Sequence, residues 1–227
     1  MPNSLDALNA SKEVRVAHHV AYSLHILSEI TAGYDHAVDE GQFLTARCMV
    51  DTFYVHLRLM ADFLVKNPRG DIGPADFGVK WTKPDCTEAR NLIQYHDDAS
   101  KYVVHFGSRR VPEDLDDLAT FDIGGAHWRE RLADVVAVFQ CFFTVLENLA
   151  SEWDQDVLLP NPELEPDAWR QRLRWEQTQI LRRALADARS ALVPESPYSA
   201  ACQRDELQGS VRCADHPRGQ RLRRRFA

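Results

Sequence analysis

The chain has 227 residues, 44% hydrophobic and 27% charged, with a formal net charge of −7. That is enough for one substantial core, while no apolar run has the obvious length of a membrane span and Met1 to Asp6 lack the basic start and apolar core of a secretory signal. A cytoplasmic protein without membrane partners is expected.

Five cysteines, Cys48, Cys86, Cys141, Cys202 and Cys213, are widely scattered and odd in number, which argues against a disulfide framework or a close-spaced zinc site. Cys48 and Cys141 read as core packing residues. The charge is unevenly divided. Residues 1–169 carry 14 Lys and Arg against 28 Asp and Glu, a balance of −14, and residues 170–227 carry 13 against 6, a balance of +7. The C-terminal part is therefore a separate electrostatic object.

From Lys12 to about Glu40, the residues Val16, Val20, Leu24, Leu27 and Ile30 recur at steps of three and four, behind Ser11 as an N-cap. Arg15 and His18 turn to other faces of this first helix. Gly41 punctuates the pattern, and Phe43, Ala46, Val50, Phe53, Leu57, Met60 and Leu64 carry a second helical stripe to Asn67, where Pro68 and Gly70 stop it. Residues 69–81 form a Gly- and Pro-rich connection anchored by Ile72, Phe77 and Trp81. Helix three opens at Thr82 or Lys83 before Pro84 and runs through Leu92, Ile93, Ala99 and Tyr102 to Phe106. An acidic connection and Gly124-Gly125 precede the strongly apolar run 127–153, expected as the most buried helix.

Pro160, Pro162 and Pro166 then break the periodicity. The expected organisation is a helical-bundle domain over 1–160, a linker and basic amphipathic helix over 161–193, and a disordered arginine-rich tail over 194–227. No stretch alternates with period two. The fold class is all-α: an up-down-up-down four-helix bundle with an additional C-terminal amphipathic helix.

The candidate site is the stretch from Tyr95 to Arg110. In a helix, Asp98, Lys101 and His105 share a face at offsets of three and four, and a C-terminus at Gly107 places Arg109 and Arg110 just beyond His105. A compact basic and imidazole-bearing helix end results, which does not by itself name a reaction. One reading makes His105 a structural histidine hydrogen-bonded to Asp98 or a carbonyl.

This ending, Lys101-Tyr102-Val103-Val104-His105 followed by Phe106-Gly107-Ser108-Arg109-Arg110, together with the layout of residues 12–153, resembles the HEPN superfamily (higher eukaryotes and prokaryotes nucleotide-binding). Its motif is an arginine, a polar residue, a few spacers and a histidine. His105 matches the histidine, while Asp98, Ala99 and Ser100, the positions four to six spacers earlier, are not arginine. The resemblance implies a helical bundle of bacterial defence or toxin-antitoxin type that binds or cleaves RNA, with a cleft built between two protomers; metal-independent cleavage needs a general base for the ribose 2′-hydroxyl and a cation on the scissile phosphate, so His105 would be the base or acid, Lys101 or Arg109 the cation, and Arg110 and Asp98 binding groups.

On helix two, Arg47 with Asp51 and Arg58 with Asp62 repeat a basic-to-acidic step of four. They read as ion pairs on a solvated face, or, for Arg47 and Asp51, as groups facing helix three that hold His105 or Lys101. His18, His25 and His56 invite a metal-dependent bundle hydrolase, but no helix carries the His-x-x-x-His or Glu-x-x-His pair that would present two ligands on one face. No metal or cofactor is expected. The cluster Arg221-Leu222-Arg223-Arg224-Arg225 suits a polyanion. The expected partners are RNA and a second copy of the chain. The rival is a non-enzymatic bundle that associates with a protein through helices four and five.

Overall fold

In a computed structural model the described residues are 11–100, 125–150 and 160–193. They are helical, with no strand among them. The helices are α1 (Lys12–Asp39), α2 (Phe43–Ala61), α3 (Thr87–Ala99), α4 (Gly125–Ala150) and α5 (Pro166–Leu192). A π-helical turn, Asp62–Lys66, extends α2, and a short 3₁₀ turn, Pro74–Phe77, lies in the connection to α3.

The helices form where the apolar spacing requires them. Ser11 caps α1 by accepting the Val14 amide at 3.2 Å, and the steps Val16, Val20, Leu24 and Leu27 all end in buried side chains. Gly41, at φ 70°, takes the left-handed conformation that lets α1 turn into α2 within three residues. α2 then returns Val50, Phe53, Leu57 and Met60 to the same core.

Each helix packs on its neighbour in sequence, α1 on α2, α2 on α3, α3 on α4 and α4 on α5, and α5 closes back on α1. α4 also touches α1 across the middle, and its Trp128, Leu132, Val135, Phe139, Phe142 and Leu146 are fully buried. Trp128 meets Phe53 ring to ring at 4.3 Å, with Tyr34 and Tyr54 beside it, and Phe142 gathers Phe63, Phe77 and Trp81. Edge-on aromatic pairs of this kind add specific geometry to the area they bury.

Several expectations change. α5, set outside a core domain ending near residue 160, contributes Leu181, Ala184, Leu185 and Ala188 to the main core and donates a hydrogen bond from Gln177 to the Glu13 carbonyl at 3.1 Å. It is a fifth wall of one body, residues 1–193. Cys48 and Cys141 are exposed rather than core residues. Ile72 is 38% exposed, and the connection is anchored by Phe77, Val79 and Trp81, the last by donating from its indole Nε1 to the Leu64 carbonyl at 2.8 Å.

α3 begins at Thr87, later than Pro84 suggests, because Cys86 is still extended at φ −133° and ψ 168°. Glu88 supplies the first-turn carboxylate, its pKa held down by a backbone amide. α4, in turn, contains an 18-residue window of mean hydropathy 1.6, long and apolar enough by composition to cross a bilayer, contrary to the expectation that no such run exists. In this fold its apolar side is spent on the core.

Candidate functional site

The polar side chains concentrate where α2 ends against α3. At Asp62 the α-helix widens, the Asn67 amide reaching back to the Asp62 carbonyl at 2.6 Å, and Asn67 turns the chain away at φ 46°. Such one-turn widenings recur at functional sites. Here the turn presents two charges to α3. Asp62 Oδ1 lies 3.0 Å from His96 Nε2, and Lys66 Nζ donates to Asp97 Oδ1 at 3.2 Å.

His96 Nδ1 lies 3.0 Å from Asp97 Oδ1, and Arg58 Nε lies 3.7 Å from Asp62 Oδ2. The result is a row of alternating basic and acidic side chains, Arg58, Asp62, His96, Asp97 and Lys66. His96 and Asp62 are its sheltered members, at 16% and 17% side-chain exposure, and Asp97 is open at 45%. The His96 hydrogen bond, followed by that of Lys66, holds the Asp97 carboxyl below the usual carboxylate range.

The other face of α3 makes a second network. Asn91 and Tyr95, one turn apart, both donate to Asp134 Oδ2 on α4 at 2.9 Å. Arg131, also on α4, donates to the Tyr54 hydroxyl and places its guanidinium 5.2 Å from the Tyr54 ring centre and 5.1 Å from that of Tyr95. Burial and the neighbouring carboxylate push the Tyr95 phenol up to about 12, so it remains a donor.

Asp62 also borders a cleft of about 490 Å³ between α1 and α2, lined on its polar side by His19, Ser23, His56 and Asp71, with Tyr22, Leu59 and Ile72 as apolar walls. His56 Nδ1 lies 3.1 Å from Ser23 Oγ, and burial lowers the imidazole pKa, which favours the neutral ring.

Lys101, His105, Arg109 and Arg110 lie outside the described residues. Asp98 accepts from Gln94 at 3.0 Å. Arg47 and Asp51 pair with each other at 3.7 Å on an outer part of α2, both more than 40% exposed, and the α2-end carboxylate that reaches α3 is Asp62. His18 and His25 are exposed on α1 and do not converge with His56; among the described residues no group of three or more metal-ligating side chains forms.

What the sequence reading passes over is His96. Its partner Asp62 lies 34 positions away, and only the geometry of the widened turn joins them. A local signal was present nonetheless, in Arg90-Asn91 followed by His96 on one helix. No family model matches this chain, and no curated protein or solved structure matches it significantly.

Proposed function

We propose that the chain is a HEPN-like RNA-binding protein with endoribonuclease chemistry centred on His96. The observation that carries this reading is the run Arg90-Asn91-Leu92-Ile93-Gln94-Tyr95-His96, an arginine, a polar residue, spacers and a histidine, ending in an imidazole held by Asp62. The motif arginine missing before His105 is thus supplied one stretch earlier.

Asp62 orients the ring through Nε2, as carboxylates commonly orient catalytic imidazoles. Nδ1 faces the more exposed Asp97, and exchange of that contact for a ribose hydroxyl frees it for proton transfer. Arg90 is exposed, pairs with Asp85 at 3.2 Å and donates to the Thr87 hydroxyl at 3.4 Å. Residues six apart stand about 120° apart around a helix and about 9 Å apart along it, so Arg90 and His96 do not share a face. A homodimer that sets Arg90 of one protomer against His96 of the other unites them on one phosphate.

The test is cleavage of end-labelled single-stranded RNA in the presence of a chelator. His96→Ala and Arg90→Ala should each lower the rate at least 100-fold, while His105→Ala retains it. Loss with His105→Ala alone would return the centre to Lys101, His105 and Arg109, and an inactive parent chain would remove the catalytic reading.

A second reading, association without catalysis, is favoured by the outer face of α2. Leu44, Cys48, Val55 and Leu59, at steps of four, seven and four, are all exposed, with Phe43 and Leu44 at 74% and 79%. α4 adds the exposed Val145 and Leu149. Apolar side chains in register along one helix suit a helical partner or a second copy.

A further inference from the structure

We propose that the face shared by α1 and α5 is a docking track for single-stranded RNA, with Tyr22 as the base-stacking platform and Arg15 and Arg183 as phosphate contacts. It rests on the RNA reading above but lies on other helices than α3.

Arg15, His18, Tyr22 and His25 follow one another on α1 at steps of three, four and three, which puts them on one face. Tyr22 is 56% exposed, unusually open for an aromatic residue in the middle of a packed helix. Its ring packs edge-on against His56, 5.5 Å between centres and 76° between planes, so it is held while more than half of it meets solvent. It joins three adjoining grooves. The first is lined by Arg15, His18 and His19, the second by His18, His25 and Arg183, and the third is the cleft that Asp62 borders. Asp62, which borders the third groove, is in turn bonded to His96 of the proposed centre.

Charge decides what such a track takes. In the described part of this acidic body most arginines are neutralised: Arg47, Arg58, Arg90, Arg129, Arg170, Arg172 and Arg182 each pair with a carboxylate. Arg15 and Arg183 are exposed and take part in no ion pair among the described residues. The acidic side chains along the grooves are Asp187 in the second and Asp62, already bonded to His96, with Asp71 in the third, and Glu29 lies 3.9 Å from His25. Unpaired cations flanking an exposed aromatic ring are the combination that binds a single strand, phosphates on the arginines and a base on the ring. A duplex hides its base faces and leaves Tyr22 unused.

The test uses the full chain and an end-labelled 12-nucleotide 2′-O-methyl oligouridine, which cannot be cleaved through a 2′-hydroxyl, with binding read by fluorescence anisotropy. Tyr22→Ala should weaken binding by roughly 5- to 150-fold and Tyr22→Phe should restore it. Arg15→Ala and Arg183→Ala should each weaken it and reduce the salt slope by about 1, with Arg170→Ala, an exposed but paired arginine on α5, as the neutral comparison. Unchanged binding in Tyr22→Ala, an equal loss in Arg170→Ala, or a preference for duplex overturns the track. If the parent chain binds as expected but never cleaves ordinary RNA, the His96 reading fails and the track stands. Should cleavage depend on His96 while Tyr22→Ala keeps its KM, the centre stands and the track fails.

Discussion

The two faces of α3 carry polar networks of opposite character. Toward α4, Asn91 and Tyr95 converge on the single carboxylate of Asp134, with Arg131 lying between two tyrosine rings. Toward the end of α2, His96 and Asp97 belong to a row of five ionisable side chains with one exposed side. The first network fits helices together. The second holds an imidazole between carboxylates at the rim of a cleft, an arrangement that helix packing does not require. A few residues on one helix can thus serve packing on one face and leave chemistry to the other.

The sharpest way to break this contrast is Asp134→Ala, which strips Asn91 and Tyr95 of their shared acceptor. It should cost roughly 1–3 kcal/mol in urea unfolding, because half-buried donors are left unpaired. A loss below half a unit would show that water replaces the carboxylate and that the network is not structural.

The alkaline limb comes next. Tyr95 has a folded pKa of about 12, raised above the ordinary phenol value of 10. Its contribution to stability is therefore complete below pH 10 and is lost as pH rises through 12. Tyr95→Phe should flatten that part of the stability profile, and absorbance of tyrosinate should lose one late-ionising group. The smallest expected effect is that of Asp97→Ala on folding, only a few tenths of a kcal/mol, since surface ion pairs contribute little. The same change should alter RNA cleavage several-fold, measured as kcat, because it removes the group facing Nδ1 of His96.

The helices themselves were legible because their determinants are local. Val20, Leu24 and Leu27, or Phe53 and Leu57, repeat at helical spacing whatever surrounds them. Cys48 was not legible, since a cysteine suits either face and this one falls on the outer stripe with Leu44 and Val55. The place of α5 was obscured by its arginines. Arg170, Arg182, Arg183 and Arg189 occupy its outer side, while the small residues Ala184 and Ala188 make the close approach to the core. His96 was hidden for a different reason, because its partner depends on an irregular turn that no periodicity announces. The Arg90-Asn91 signal lay close by, but the later histidine at the apparent helix end drew the reading toward Lys101 and Arg109.

The closure of α5 onto α1 also has a bearing on how the chain is made. Gln177 bonds the carbonyl of Glu13, a contact spanning 164 positions, and Leu181 and Leu185 fill a core whose other walls are all encoded earlier. On a ribosome the body therefore stays open along one side until residue 192 has emerged. Until then, α1 and the apolar side of α4 have no lid, and a nascent chain in that state is the species most exposed to aggregation and most in need of a chaperone. Stalled synthesis or trimming that reaches α5 would thus remove a wall of the core.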